Sequence, residues 1–110
     1  MITPTVGRVV WYHRGARSGF AGRHYEDQPL AALVAYVNAD GTVNLMVADA
    51  HGTPFGVSNV PLVQEGEESP GTDGAGFAEW MPYQLAVARG EIPPVLHAQP
   101  PIPTLTDALA

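Results

Sequence analysis

Five short apolar runs, separated by turn residues, set the hydrophobic pattern of this chain. They occupy residues 6–13, 30–38, 43–49, 55–63 and 77–82. Most are rich in β-branched and aromatic residues, and the third and fifth alternate with a period of two, as half-buried strands do. Asp40 and Gly41 lie between the second and third runs, where Asp-Gly is a strong hairpin signal. The pattern predicts five short strands, the fourth with an irregularity at Pro61, which cannot donate to a sheet.

Short strands joined by turns, without a long helix, indicate an all-β domain. We expect a small five-stranded antiparallel SH3-like barrel or sandwich. The alternation suggests a core made of Val6, Val9, Trp11, Leu33, Val37, Val43, Leu45, Val47, Val57, Val60 and Trp80.

The C-terminal part differs in kind from these strands. Residues 84–89 are compatible with one helical turn ended by Gly90, and two proline-rich runs follow at 92–95 and 99–103. Such runs favour an extended polyproline-II path without internal hydrogen bonds. We therefore predict a barrel domain over 1–84 and a proline-rich extended arm over 85–110. Whether the arm docks on a surface or is a disordered tail stays open.

Charge is divided unevenly along the chain. The formal net charge is −6, yet residues 1–24 hold four arginines and no carboxylate, while Arg89 and all eleven carboxylates lie in the remainder. Residues 64–76 are acidic, rich in glycine and without apolar periodicity, which predicts a mobile loop. An acidic chain with one basic loop argues against general nucleic-acid binding, which needs basic charge spread over a face. A small anionic ligand remains possible.

Several classes of function are disfavoured by what the sequence lacks. There is no cysteine for a disulfide, a thiol nucleophile or a thiolate metal site. No signal peptide or membrane span is recognisable, because the longest apolar stretch is residues 30–37. The serines lack a nucleophile-elbow context, the adjacent carboxylate pairs suit solvated loops, and the four histidines lack metal-ligand spacing. We expect a protein that is not an enzyme, with neither cofactor nor metal.

The twelve residues HRGARSGFAGRH, at positions 13–24, form the most distinctive local feature. One interpretation is a solvated connector between the first two strands. The other is a partner-binding arm, in which Arg14, Arg17 and Arg23 contact carboxylates or phosphates while Phe20 anchors in a partner's pocket.

Aromatic and proline residues form a second candidate site. Trp80 and Tyr83 are compatible with a groove for extended peptides, although core packing is the simpler interpretation for Trp80. The prolines Pro93, Pro94, Pro100 and Pro101 would provide the matching extended segment, so that one copy's arm could dock on another copy.

Four stretches carry a family resemblance. They are TPTVGRVVWY (3–12), DGTVNLMVAD (40–49), GTPFGVSNV (52–60) and EWMPYQ (79–84). Together they resemble a family of small proteins encoded by tailed phages and prophages, over residues 3–84. The resemblance implies a small β-barrel. It implies no activity and no site residues, because no activity is established for that family.

These expectations combine into two hypotheses about function. The first is a phage structural or accessory protein, carried on the virion as a decoration, stabilising or connector subunit that contacts other copies or other phage proteins. The second is a binding module in the host cytoplasm during infection, which sequesters a nucleotide signal or blocks a host defence protein.

Overall fold

The fold is one curled, mixed β-sheet with a short helix. The computed structural model describes residues 1–17, 20–25, 27–71 and 74–91. Its elements are β1 (Val9–Arg14), β2 (Leu30–Val37), β3 (Val43–Ala48), β4 (Pro54–Val60), β5 (Leu62–Val63), β6 (Gly76–Glu79) and α1 (Pro82–Ala88). The six strands are ordered β4-β3-β2-β1-β6-β5. The sequence predicted an all-β domain, and the structure is mostly β with one short helix.

The predicted count of five antiparallel strands is wrong, because the fourth run divides at Pro61. Residues before this proline form β4, and residues after it form β5, which pairs in parallel with β6. Proline has no backbone N–H to donate, so it interrupts a ladder. Its carbonyl still accepts a hydrogen bond from the Ala78 amide at 2.8 Å. The SH3-like arrangement is not confirmed.

The division at Pro61 also explains why the sheet curls. β4 and β5 stand at opposite edges of the strand order, yet a single residue joins them in the chain. The two edges must therefore approach each other, which gives a half-barrel with its core on the concave side. The core cluster consists of Val10, Tyr12, Phe20, Leu30, Ala32, Val34, Val43, Leu45, Val47, Val60, Ala78 and Trp80.

Within β1 and β2, two of the predicted core residues, Val9 and Leu33, lie on the face away from the core. Val9 and Leu33 are exposed, whereas their neighbours Val10 and Val34 are buried. Val6 is also exposed and Trp11 is half-buried, whereas Val37 and Val57, although only half-buried, pack against the core as predicted. Both strands are apolar on both faces, so alternation did not reveal which face meets the core. A shift of one residue moves every side chain to the opposite face. The predictions for Val43, Leu45, Val47, Val60 and Trp80 are confirmed.

The predicted hairpin at Asp40-Gly41 is present. Gly41 has φ of 90°, in the left-handed region that glycine adopts without strain. The Asp40 carboxylate accepts hydrogen bonds from the Thr42 hydroxyl and amide at 2.7 and 2.9 Å, and these bonds lower the pKa of Asp40. The turn therefore sets the pairing beside it, of Val37 with Val43, while the register shifts further along, between Val34 and Tyr36.

Helix α1 begins at Pro82, which suits the first helical turn because its missing N–H would lack an intrahelical partner anyway. The Gln84 side chain accepts a hydrogen bond from the Met81 amide and donates one to the carbonyl of Val9. Leu85 packs against the core, and Gly90 follows with φ of 78°. The predicted helical turn ended by Gly90 is confirmed. The arm was predicted over 85–110, but its first residues belong to α1, where Leu85 packs against the core. Residues 92–110 of the predicted arm lie outside the described residues.

Candidate docking surface

The outward face of β1, β2 and β3 carries a row of exposed apolar side chains. Val9 pairs with Leu33, and Leu33 pairs with Met46 on the next strand. These three residues are 38%, 36% and 47% exposed, whereas core residues on the concave face are nearly inaccessible. Antiparallel pairing places such directly opposed side chains about 5 Å apart, so they form one continuous apolar strip.

This strip borders a shallow groove of about 350 Å³, which we call the outer groove. Its lining consists of Val9, Ala31, Ala32, Leu33, Met46, Ala48, Gly52 and Pro54. None of these residues is charged, although the chain as a whole is acidic. Exposed apolar patches that are free of charge mark interaction surfaces in many soluble proteins. The outer groove suits an uncharged, apolar segment.

Sequence reasoning missed this groove, although β2 contained a signal for it. Antiparallel sheets commonly have one polar and one apolar face, but residues 30–37 are apolar throughout. The second apolar face was assigned to the core, through Val9 and Leu33, instead of to a surface. Nothing in the sequence pattern singles out Met46 or Pro54 as site residues.

The Gly/Arg loop is packed against the sheet where the structure describes it. A Cβ on Gly15 would lie 2.0 Å from the carbonyl oxygen of Gly74, and one on Gly22 would lie 2.5 Å from the Phe20 ring. Phe20 itself is buried and makes edge-to-face contacts with Tyr12 and Phe55. Its predicted role as an exposed anchor is wrong, because the core takes up its ring.

The three arginines of the loop are held at different places. The Arg14 guanidinium donates to the carbonyl of Phe20 and to the ring of His24, both at 3.4 Å. The Arg17 amide donates to Gly74 at 2.9 Å, and the Arg23 amide donates to the Asp49 carboxylate at 3.1 Å. Arg14 thus links two positions of its own loop, Phe20 and His24. Residues Arg17 and Arg23 are exposed.

The two aromatic candidates, Trp80 and Tyr83, lie in different environments. Trp80 is buried in the core and its indole N–H donates to the Gln64 side chain at 3.1 Å, so it does not line a surface groove. Gln64 in turn exchanges two hydrogen bonds with the backbone of Ile2, which fixes the start of the loop predicted to be mobile. Tyr83 is exposed on α1. Pro93, Pro94, Pro100 and Pro101 lie outside the described residues.

A second cleft, of about 480 Å³, lies beside the turn after β3. Its lining includes Tyr25, Leu30 and two carboxylates, Asp27 and Asp49, but no arginine. The Asp49 carboxylate accepts amide hydrogen bonds from Arg23, Thr53 and His51, which lower its pKa. With these bonds Asp49 organises the turn, and the acidic lining is the wrong sign for an anionic ligand.

Other ionisable residues form pairs on the surface. His13 lies 3.0 Å from the Glu79 carboxylate and stacks on Phe77, while His24 contacts Arg14, so the two histidines have different partners. Over the described ranges, no three histidine or acidic side chains are grouped as a metal site. Within those same ranges, no helix has the length and apolarity that crossing a membrane requires.

Comparisons of the chain with protein-family models, curated proteins and solved structures gave no match. The site is therefore interpreted from its own geometry.

Proposed function

We propose that this protein is a non-enzymatic structural or accessory subunit of a phage virion, which attaches to other copies or to other phage proteins through the outer groove. The observation that carries the proposal is the charge-free apolar strip Val9–Leu33–Met46, left exposed on a well-packed sheet. The resemblance of residues 3–84 to small phage proteins supplies the setting.

The groove suits a decoration or connector subunit energetically. Complete burial of a large apolar side chain contributes about 1.5–3 kcal/mol, so a partner that covers half-exposed Leu33 and Met46 gains only part of that amount from each. One such contact is weak. On a virion the receiving surface is repeated, and several weak contacts from one assembly add up to firm attachment.

We further propose that the loop arginines add a polar contact at the rim of this interface. Arg17 and Arg23 are exposed residues of the loop. Their planar guanidinium groups would match carboxylates on a neighbouring subunit. The rigid body behind both surfaces would be an SH3-like barrel, a proposal supported by the joining of the two sheet edges at Pro61. An experimentally determined structure tests that architecture.

The alternative is an intracellular module that sequesters a nucleotide signal or blocks a host defence protein. It has less support, because Arg14 is engaged within its own loop and the cleft beside Asp49 has an acidic lining. Calorimetric titration against a nucleotide panel, compared with Arg17→Ala, tests it. Heat that is lost in the variant would favour the alternative.

Virion composition tests the leading proposal. Particles produced by the phage or prophage that encodes the chain are purified and analysed by quantitative mass spectrometry. We expect many copies per particle for the wild type, few for Met46→Asp, and wild-type levels for Tyr36→Asp. Tyr36 is the matched control because it is 60% exposed on the neighbouring strand but does not line the groove. Absence of the wild-type protein from particles would refute the proposal.

A further inference from the structure

One edge of the sheet is open along β4. Among the described strands, β3 lies on one side of β4 and no strand lies on the other. Over the same described residues, no backbone hydrogen bond outside the strand ladders reaches positions 54–58. Such an edge is a template for another strand, and proteins usually protect it with charged side chains. β4 carries no charged residue, although the net charge of the chain is −6.

The hydrogen bonds of the neighbouring strands show which backbone groups of β4 point outward. Val34 exchanges two hydrogen bonds of 2.8 Å with the backbone of residues 7–8, which precede β1, so its backbone groups face β1. Successive residues of a strand face alternate neighbours, so Leu33 and its partner Met46 face each other. Met46 therefore turns its N–H and carbonyl away from β4. Its partner Gly56 likewise turns both groups away from β3, towards the open edge.

Ser58 points its backbone groups to the same edge. The Asn59 amide donates to the Asn44 side chain on β3 at 2.9 Å, so the carbonyl of Ser58, in the same trans peptide group, points away from β3. The Ser58 N–H points outward as well, because Val57, which follows Gly56, faces β3. The open edge thus presents two donors and two acceptors, from Gly56 and Ser58.

A second copy of β4 fits this edge in one antiparallel register. With Gly56 opposite Ser58 of the second copy, and Ser58 opposite its Gly56, all four groups find partners. A shift by two residues would put Pro54 opposite Ser58, and the proline ring has no N–H for the Ser58 carbonyl. The matched register has two-fold symmetry, and the Val57 residues of the two copies lie directly opposite each other at the axis.

The outer face of this stretch leaves room for a second chain. Gly56 has open space where a Cβ would lie, and Ser58 is small and exposed. Two copies of an acidic chain repel each other, so an uncharged edge is where they approach with the least repulsion. The two-fold axis is perpendicular to the sheet, so the outer grooves of both copies lie on one face of the joined sheet.

We propose that two copies of this chain pair along β4 over residues 56–58, which joins their sheets into one. The inference goes beyond the proposed function, because it concerns the isolated protein and needs no virion. Each hydrogen bond contributes only about 0.5–1.5 kcal/mol net, so the pairing is weak and depends on protein concentration. A covalent trap at the axis detects a contact of this kind.

A disulfide at the two-fold axis tests the pairing. The chain has no cysteine, so Val57→Cys introduces a single thiol into the full-length protein. A directly opposed pair that is not hydrogen-bonded has a Cα–Cα distance of about 4.5 Å, which a disulfide bridges. We expect a covalent dimer in a glutathione redox buffer. The matched control is Ser58→Cys, whose two Cα atoms would lie about 8 Å apart, too far for a disulfide without backbone movement.

A second set of substitutions removes the hydrogen bond and keeps the thiol. In the Val57→Cys background, Ser58→Pro deletes an N–H that faces the open edge, which an edge strand tolerates, and should abolish the covalent dimer. Ser58→Ala keeps this N–H and should leave the dimer at the level of Val57→Cys alone. If tryptophan fluorescence shows that Ser58→Pro is unfolded, Ser58→Asp replaces it. That variant should suppress the dimer by like-charge repulsion, while Tyr36→Asp, with the same added charge away from the edge, should not.

The outcomes separate this pairing from other contacts between copies. The proposal is overturned by no covalent dimer from Val57→Cys, by an equal yield from Ser58→Cys, or by a dimer that survives the folded edge variant. It is also overturned by a covalent dimer from Met46→Cys, because β4 pairing would hold those residues three strand spacings, or about 14 Å, apart. Failure of the edge pairing leaves the virion test of the outer groove unaffected, so the two proposals fail separately.

Discussion

Replacing Val9 and Val10 separately by threonine tests which face of β1 meets the core. Threonine keeps the β-branched shape and strand propensity of valine and exchanges one methyl group for a hydroxyl. Val10 is fully buried, whereas Val9 is 38% exposed beside the groove. The two substitutions are therefore chemically identical and differ only in environment.

The expected magnitudes follow from burial. At Val10, loss of a buried methyl group costs about 0.8 kcal/mol, and an unpaired buried hydroxyl costs about 1–3 kcal/mol more. We therefore expect Val10→Thr to lower the free energy of unfolding by about 2–4 kcal/mol. At Val9 the hydroxyl stays in contact with water, and we expect a change of about 0.5 kcal/mol or less.

Urea unfolding followed by tryptophan fluorescence measures both changes. For a domain of this size, 1 kcal/mol corresponds to a shift of about 4–8 °C in Tm, so thermal unfolding gives an independent reading. A larger loss for Val9→Thr than for Val10→Thr would refute the reasoning, because it would restore the strand phase that alternation in the sequence suggested.

Three further predictions concern single residues. Gly76 has φ of 93°, and a Cβ there would lie 2.6 Å from a backbone oxygen of β1, so Gly76→Ala should lower the free energy of unfolding in urea by about 1–3 kcal/mol. Gly74 has open space around it, so Gly74→Ala should be nearly neutral in the same measurement. Amide hydrogen bonds lower the pKa of Asp49, so its contribution to stability is present above its ordinary pKa of 3.8 and is lost as the pH falls through the lower folded-state value. The urea midpoint of unfolding should therefore fall less on acidification for Asp49→Asn than for the wild type. An equal fall of the midpoint with pH in both proteins would contradict this role. Trp80→Phe should lower stability by about 2 kcal/mol, since it removes buried ring atoms and an indole donor; half-buried Trp11→Phe should lose clearly less, and calorimetric Tm values compare the two.

The placement of most strands was predictable because it depends on local signals. The hairpin at Asp40-Gly41 follows from turn chemistry, and its flanking strands occur where the apolar runs placed them. The division at Pro61 was predictable because proline has no backbone N–H to donate to a sheet. The parallel pairing of β5 with β6 was not, because nothing in a two-residue strand specifies a partner that follows it by more than ten positions.

The candidate site was less predictable than the fold. Phe20 was expected at the tip of an exposed loop, but the chain folds back at Gly15 and Gly22 and inserts the ring between Tyr12 and Phe55. Close backbone approach at a glycine is a tertiary property. A Gly/Arg-rich sequence is equally compatible with a solvated connector and a packed loop.

By itself, the sequence determined a small β-rich body, the Asp-Gly hairpin and the short helix before Gly90, since turn residues and periodicity act over a few neighbouring positions. Only the tertiary structure decided which face of β1 and β2 is buried. Both faces are apolar, and the choice depends on the curl of the whole sheet, which places Val10 inside and leaves Val9, Leu33 and Met46 on the surface available for a partner.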